Sequence, residues 1–306
     1  MQTSSENVPL NITILGAGAI GSLWANYLHN AGHNVSLWLR NPTSSNQSIR
    51  LDQAATVNFP VNNKQVLSQA DMVLVTVKSW QVKEAILPLK TILHPDTILL
   101  FMHNGMGAVE QIDHLFQHSP IVLATTTHAC LKKGHGEFYH TGKGVTHLGG
   151  HNEKGRQCQF LQPVLQHALA EVTWSDDVRQ SLWQKLVINC AINPLTAIEK
   201  CKNGVLAKEK YQHTISTIVE EASAVITAEK INIETDTLLE TVYKVIKATS
   251  ENYSSMHQDV LNHRTTEIDY ITGYLCRTAK KHQLNVDTNL SLYNKIKQTE
   301  DLWRTS

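Results

Sequence analysis

A short β-prone run, Ile12-Thr13-Ile14-Leu15, leads directly into Gly16-Ala17-Gly18-Ala19-Ile20-Gly21, and the following Ser22-Leu23-Trp24-Ala25-Asn26-Tyr27-Leu28 has helical apolar spacing. Strand, glycine turn and helix in that order confine the chain to few folds. In such a turn Gly16 permits the tight bend, Gly18 lets backbone N–H groups approach a pyrophosphate, and Gly21 lets helix and strand pack closely. A second β-prone run, Asn34-Val35-Ser36-Leu37-Trp38-Leu39, follows Gly32 at the distance expected of a βαβ unit. The N-terminal half is therefore expected to be a Rossmann-type sheet, with Gly16, Ala17, Gly18, Ala19, Ile20 and Gly21 around the phosphates of a dinucleotide.

The end of the second strand selects between the two nicotinamide dinucleotides. An acid there binds the ribose 2′-hydroxyl of NAD, whereas an arginine accepts a 2′-phosphate. The residue is Arg40, and no aspartate or glutamate occurs from Gly16 to Leu51, which favours NADPH/NADP+ over a reading of Arg40 as an ordinary surface residue. Met72-Val73-Leu74-Val75-Thr76-Val77 and Thr97-Ile98-Leu99-Leu100-Phe101 read as buried parallel strands, with a helical stretch across Gln81–Leu93 between them. Ligands bind at the carboxyl ends of such strands. Lys78 and Asn104 stand there, either facing the cofactor or serving as plain loop residues. From Ile121 onward short β-like pieces punctuated by glycine suggest antiparallel hairpins added to the same sheet. A helix near Gln157–Ala170 and a strand at Val172–Trp174 complete this domain.

After about Asp177 almost no β patterning remains. Helical spacing covers Gln180–Ala197, Tyr211–Lys230, Thr235–Thr249, Ser255–Asn262, Thr266–Gln283 and Asn289–Trp303. The chain is thus expected to comprise a loose leader over 1–9, a dinucleotide-binding domain over 10–176 and an all-helical domain over 177–306. Within the first of these helices Lys185, Asn189 and Asn193 recur every fourth residue, so an amine and two amides share one face of an otherwise apolar segment. Burying such groups unpartnered costs about 1–3 kcal/mol for each amide and more for the ammonium. The stripe must therefore meet a polar ligand, another polar segment or solvent. Further on, Ser255-Met256-His257-Gln258 matches a capping box and Thr266-Glu267-Ile268-Asp269 matches a second, which offers Ser255 and Asp269 structural roles at helix starts. Glu267 has no capping role in that register, although a first-turn acid also suits the helix dipole.

Composition removes several function classes. Lysine plus arginine equals aspartate plus glutamate at 27 each, so no net charge draws the chain to nucleic acid or acidic membranes. Five widely spaced cysteines without a Cys-x-x-Cys pair argue against a disulfide framework or a zinc site. No uninterrupted apolar run reaches membrane-spanning length, the first residues lack the basic flank of a signal peptide, and no His-Glu-x-x-His spacing occurs. A cytoplasmic enzyme of small molecules with no metal requirement is expected.

Taken together, Gly16-Ala17-Gly18-Ala19-Ile20-Gly21, His103-Asn104-Gly105-Met106-Gly107, Thr125-Thr126-Thr127-His128-Ala129, Lys185-x-x-x-Asn189-x-x-x-Asn193-Pro194 and Ser254-Ser255-Met256-x-Gln258-Asp259 with Thr266-Glu267-Ile268-Asp269-Tyr270 strongly resemble the ketopantoate reductase family. The likeness spans almost the whole chain. It implies a Rossmann domain with an all-helical C-terminal domain similar to that of 6-phosphogluconate dehydrogenase. It further implies reduction of 2-dehydropantoate to (R)-pantoate by NADPH, a step towards pantothenate and coenzyme A. By the resemblance, Lys185 falls on the catalytic lysine and Glu267 on its partner carboxylate. Asn104, Asn189, Asn193 and Ser255 fall on substrate positions, while the glycine loop, Arg40, Lys78, Asn104, Ala129 and Glu267 fall on cofactor positions. The assembly is expected to be a monomer or homodimer.

Hydride arriving at C2 of a 2-oxo acid leaves negative charge on the carbonyl oxygen, which must be stabilised and protonated. Lys185 is the strong donor in the stripe. Burial lowers its pKa while a nearby Glu267 raises it, and the sequence alone does not rank the two effects. Two other readings stay open: reduction of another small branched 2-oxo acid, and a non-catalytic NADPH sensor.

Overall fold

The computed structural model of the protein describes residues 8–304. Residues 1–7 of the expected leader lie outside the described residues, and Val8 and Pro9 are exposed and without regular structure. The chain divides into two compact units, one reaching to His103 and resuming at Val109–Val178, the other comprising Asn104–Ala108 and the chain from Arg179 onward.

In chain order the strands of the first unit are β1 (Asn11–Leu15), β2 (Asn34–Trp38), β3 (Asn46–Leu51), β4 (Val57–Pro60), β5 (Met72–Val75), β6 (Ile98–Phe101), β7 (Ile121–Thr126), β8 (Ala129–Gly134), β9 (Glu137–Gly142), β10 (Thr146–Gly150) and β11 (Val172–Trp174). Its helices are α1 (Ala19–Asn30), α2 (Lys64–Ser68), α3 (Val82–Ile86), α4 (Glu153–Arg156) and α5 (Leu161–Ala168). Seven strands form a sheet in the order β11-β10-β7-β6-β5-β1-β2. The run from β2 to β7 is parallel, β10 is antiparallel to β7, and β11 is parallel to β10. Every residue of β5 and β6 is buried, as expected of parallel strands covered on both faces. β1 lies between β2 and β5, so the order of winding reverses there. That reversal places the glycine turn, at the carboxyl end of β1, at the switch point of the sheet, where nucleotides bind in doubly wound folds.

The hairpin β8–β9 does not extend this sheet. It joins β3 and β4 in a second sheet of order β4-β3-β9-β8, with Arg50 of β3 in parallel register with Glu137 of β9. β3 escaped the sequence reading because only Ile49 and Leu51 are buried, and Asn46, Ser48 and Arg50 turn outward. The expected helix across Gln81–Leu93 is also broken. A 3-10 turn at Ser79–Gln81 precedes α3, and another at Leu87–Leu89 follows it. Pro88 sits inside that second turn, where it has no N–H to continue an α-helix. The helix expected near Gln157–Ala170 is confined to α5, with α4 a separate turn before it.

Among the described residues the second unit is built from α6 (Val178–Ile198), α7 (Gln212–Ala228), α8 (Thr235–Ala248), α9 (Ser255–Leu261), α10 (Thr272–Lys281) and α11 (Asp287–Arg304). α6 contributes Trp183, Leu186, Val187, Cys190 and Ala191 to a core completed by Ile215, Ile218 and Val219 of α7, Leu238 and Val242 of α8, Leu275 of α10 and Ile296 of α11. Each large side chain so buried stabilises the fold by about 1.5–3 kcal/mol before entropy is counted. The expected helix from Thr266 begins only at Thr272. Tyr270 and Ile271 donate their N–H groups to the Glu267 carbonyl, which makes residues 267–271 a turn rather than a first helical turn.

Candidate functional site

The glycine turn is a conformational necessity. Gly16 has φ +95, and a Cβ there would stand 2.5 Å from Val77 Cγ1. Its N–H donates to the Trp38 carbonyl at 3.0 Å and its carbonyl accepts from Thr76 Oγ at 2.6 Å, so the turn is stapled to both neighbouring strand ends. At Gly21 an added Cβ would lie 2.1 Å from the Gly16 carbonyl oxygen; helix α1 therefore packs against the turn at a distance that tolerates only hydrogen. Gly18, the N-cap of α1, is exposed and an added Cβ would meet nothing within 4 Å. The first turn of α1 carries no acidic side chain and Gly18 supplies no side-chain cap. The N-terminal N–H groups and the positive end of the helix dipole thus remain suited to an anionic diphosphate.

Arg40 follows β2 and is two-thirds exposed, with Nη2 3.5 Å from Glu84 Oε1 of α3, itself equally exposed. Such a pair is worth under about 1 kcal/mol and leaves the guanidinium available. Its backbone is better held than its side chain. Asn62 accepts the Leu39 N–H at 2.7 Å and donates to the Leu39 carbonyl at 2.9 Å, which fixes the residue immediately before Arg40. Lys78 is half-buried beyond β5, where its N–H donates to Gln81 Oε1 at 3.3 Å. Ala129 is half-buried at the start of β8, opposite Gly142.

The second unit gathers the other candidates. On α6, Lys185 and Asn189 are half-buried and Asn193 is buried. Burial pushes the Lys185 ammonium down to about 8, and the Glu267 carboxylate acts in the opposite direction without cancelling it. Glu267 is itself buried at 7 % exposure, and its Oε2 accepts from Asn104 Nδ2 at 3.0 Å. Asn104 belongs to the short segment that clusters with the helical unit, whose Met106 N–H donates to the Tyr270 carbonyl at 2.7 Å. A lysine poised near neutrality, a desolvated carboxylate and a row of amides are thereby held on the same unit.

Two capping assignments are overturned. Ser254, not Ser255, is the N-cap of α9: its buried Oγ accepts the His257 N–H at 3.1 Å and the Thr196 hydroxyl at 2.7 Å. Two consecutive serines left that register ambiguous in the sequence. The shift releases Ser255 from a capping role, and it stands exposed as the first helical residue. Asp269 does not start a helix either; it accepts from Tyr293 Oη at 2.7 Å and pairs with Lys297 Nζ at 2.9 Å. Thr266 likewise donates its N–H and hydroxyl to Glu300, each at 2.7 Å. Glu300 carried no sequence signal, because an acid next to Asp301 in a polar helix looks like a solvated one, yet it is fully buried.

A doubly wound sheet with a phosphate-binding turn, joined to a helical unit that carries a near-neutral lysine, defines a nicotinamide-dependent oxidoreductase. The pattern described as ketopantoate reductase PanE/ApbA matches residues 12–153, and that described as ketopantoate reductase PanE/ApbA C terminal matches residues 177–300. A 2-dehydropantoate 2-reductase of Vibrio cholerae is 49% identical over 296 residues, covering 96% of this chain and 99% of its own. One from Escherichia coli is 39% identical, covering 95% of each chain. Among solved structures, a PanE/ApbA family ketopantoate reductase from Ralstonia eutropha superposes with a TM-score of 0.85 at 26% identity, over 96% of this chain and 99% of that one. The chain belongs to the ketopantoate reductase family.

Proposed function

We propose that this protein reduces 2-dehydropantoate to (R)-pantoate with NADPH, the step that supplies pantoate for pantothenate and coenzyme A. The observation that carries the chemistry is Lys185, whose ammonium burial lowers to about 8 beside the buried Glu267 carboxylate. A donor with a pKa near the working pH transfers a proton most effectively. Bound NADPH supplies the hydride. The glycine turn offers the diphosphate its backbone N–H groups, Arg40 offers the 2′-phosphate a guanidinium, and Lys78 and Ala129 of the same unit complete these surroundings.

Lys185 donates a proton from Nζ to the oxygen of the reduced carbonyl and, before that, stabilises the charge growing there. Glu267 keeps enough of the lysine protonated to act, because its charge offsets part of the desolvation. Asn189, Asn193 and Ser255 orient the substrate's carboxylate and hydroxyl groups, which fixes C2 for attack on one face. Asn104 holds the Glu267 carboxylate through its amide. The enzyme is proposed to work in the cytoplasm as a monomer or homodimer; among the described residues no helix is long and apolar enough to cross a membrane.

The test is NADPH oxidation by the purified protein with ketopantoate, beside 2-oxoisovalerate, 2-oxobutyrate and a substrate-free control. Rapid turnover of ketopantoate alone supports the proposal. Preference for another oxo acid would change the substrate and keep the mechanism, and NADPH binding without turnover of any of them would favour a sensor.

A further inference from the structure

The turn that carries Glu267 is fastened on both sides to the C-terminal helix. On its N-terminal side, Glu300 Oε1 takes both the N–H and the hydroxyl of Thr266, each at 2.7 Å. On its C-terminal side, Asp269 takes the Tyr293 hydroxyl at 2.7 Å and the Lys297 ammonium at 2.9 Å. Lys297 also reaches Glu300 Oε2 at 3.3 Å, so one lysine joins the two fastenings. Glu300 is 0% exposed and Thr266 is 2% exposed. A fully buried carboxylate is costly to desolvate, and here two short hydrogen bonds and an ammonium offset that cost at a position next to the Glu267 backbone.

We propose that Glu300 is a positioning residue for the reductase reaction: through Thr266 it holds Glu267 at the place from which that carboxylate acts on Lys185. This rests on the roles proposed above for Lys185 and Glu267. The turn has no regular helix to stiffen it, since α10 begins only at Thr272. Besides the backbone bonds of Tyr270 and Ile271 to the Glu267 carbonyl and of Met106 to the Tyr270 carbonyl, side chains fasten it. The charged and titratable groups around it are Lys185 from α6, Lys297, Glu300 and Tyr293 from α11, and Arg277 of α10, which acts on Tyr293. Glu267 itself, on the turn, is the charge that raises the Lys185 pKa against desolvation. Loosening the turn weakens that influence, so the lysine loses its proton at lower pH.

The experiment compares the pH dependence of kcat/KM for wild type, Glu267→Gln, Glu300→Gln, Thr266→Val and Thr266→Ser, with NADPH affinity and thermal unfolding measured alongside. Thr266→Val changes no charge, which separates positioning from any direct field of Glu300. It also carries the test should Glu300→Gln fail to fold. The expected result is a fall of about tenfold in kcat/KM for Thr266→Val and Glu300→Gln. Their alkaline limb should move to lower pH in the direction of Glu267→Gln, with NADPH affinity unchanged and Thr266→Ser close to wild type. A limb that stays in place in Thr266→Val and in folded Glu300→Gln, while Glu267→Gln moves it, overturns the positioning role and leaves the proposed function standing. A limb unmoved even by Glu267→Gln overturns the positioning role together with the role proposed for Glu267.

Discussion

Asn104 donates Nδ2 to Glu267 Oε2 at 3.0 Å, across 163 residues of sequence. The bond ties a segment lying between β6 and β7 in the chain to the acid that tunes Lys185, and both belong to the helical unit. Hydrogen bonds to a charged group contribute about 1.5–3 kcal/mol. Asn104→Ala is therefore expected to lower kcat/KM by about 10- to 150-fold, read by steady-state kinetics with ketopantoate. Asn104→Asp, which sets a second carboxylate against Glu267, should be at least as damaging.

Removing the proposed proton donor tests the mechanism differently. Lys185→Ala is expected to lower kcat by about 10²–10⁴, the range for losing a general acid, while fluorescence titration finds NADPH binding intact. Near-normal kcat in this variant would contradict the assignment.

Coenzyme choice should follow the guanidinium beyond β2. Arg40→Ala is expected to raise the KM for NADPH by about tenfold or more while leaving that for NADH little changed, because only the 2′-phosphate offers a charge-assisted partner. Kinetics with each coenzyme would check this, and equal effects on both would contradict the 2′-phosphate contact.

The same lysine links stability to pH. Its folded pKa, about 8, lies below the ordinary value of 10.5. The unfolded chain therefore binds more protons between those two values, and stability from this group rises with pH across that window. Below about pH 8 the cost of burying the ammonium is fully present. Lys185→Met, which has no charge to bury, should unfold at higher denaturant than wild type at pH 7, and the advantage should shrink as pH climbs towards 10.5.

Periodicity and glycine spacing made the parallel sheet legible, because β5 and β6 are continuous apolar runs and the turn at Gly16–Gly21 has stringent steric demands. The α6 stripe was legible for a similar reason: its spacing is set by one helix. What stayed hidden depends on partners distant in sequence. β3 is half polar and finds its neighbour β9 some 87 residues away, as the Arg50–Glu137 pair records. The cap at Ser254 rather than Ser255 depends on Thr196 of another helix, and burial of Glu300 on Thr266 depends on how α11 packs. The balance at Lys185 was open for the same reason. Both opposing effects were foreseeable, but only three-dimensional burial ranks them.

The most direct measurement is the pH dependence of kcat/KM for ketopantoate at saturating NADPH, from pH 6 to 10. The rate should be level below neutrality and decline through about pH 8 as Lys185 loses its proton, with the decline moved to lower pH in Glu267→Gln. A rate that stays level to pH 10 in the wild type would contradict proton donation by a lysine whose pKa burial has lowered.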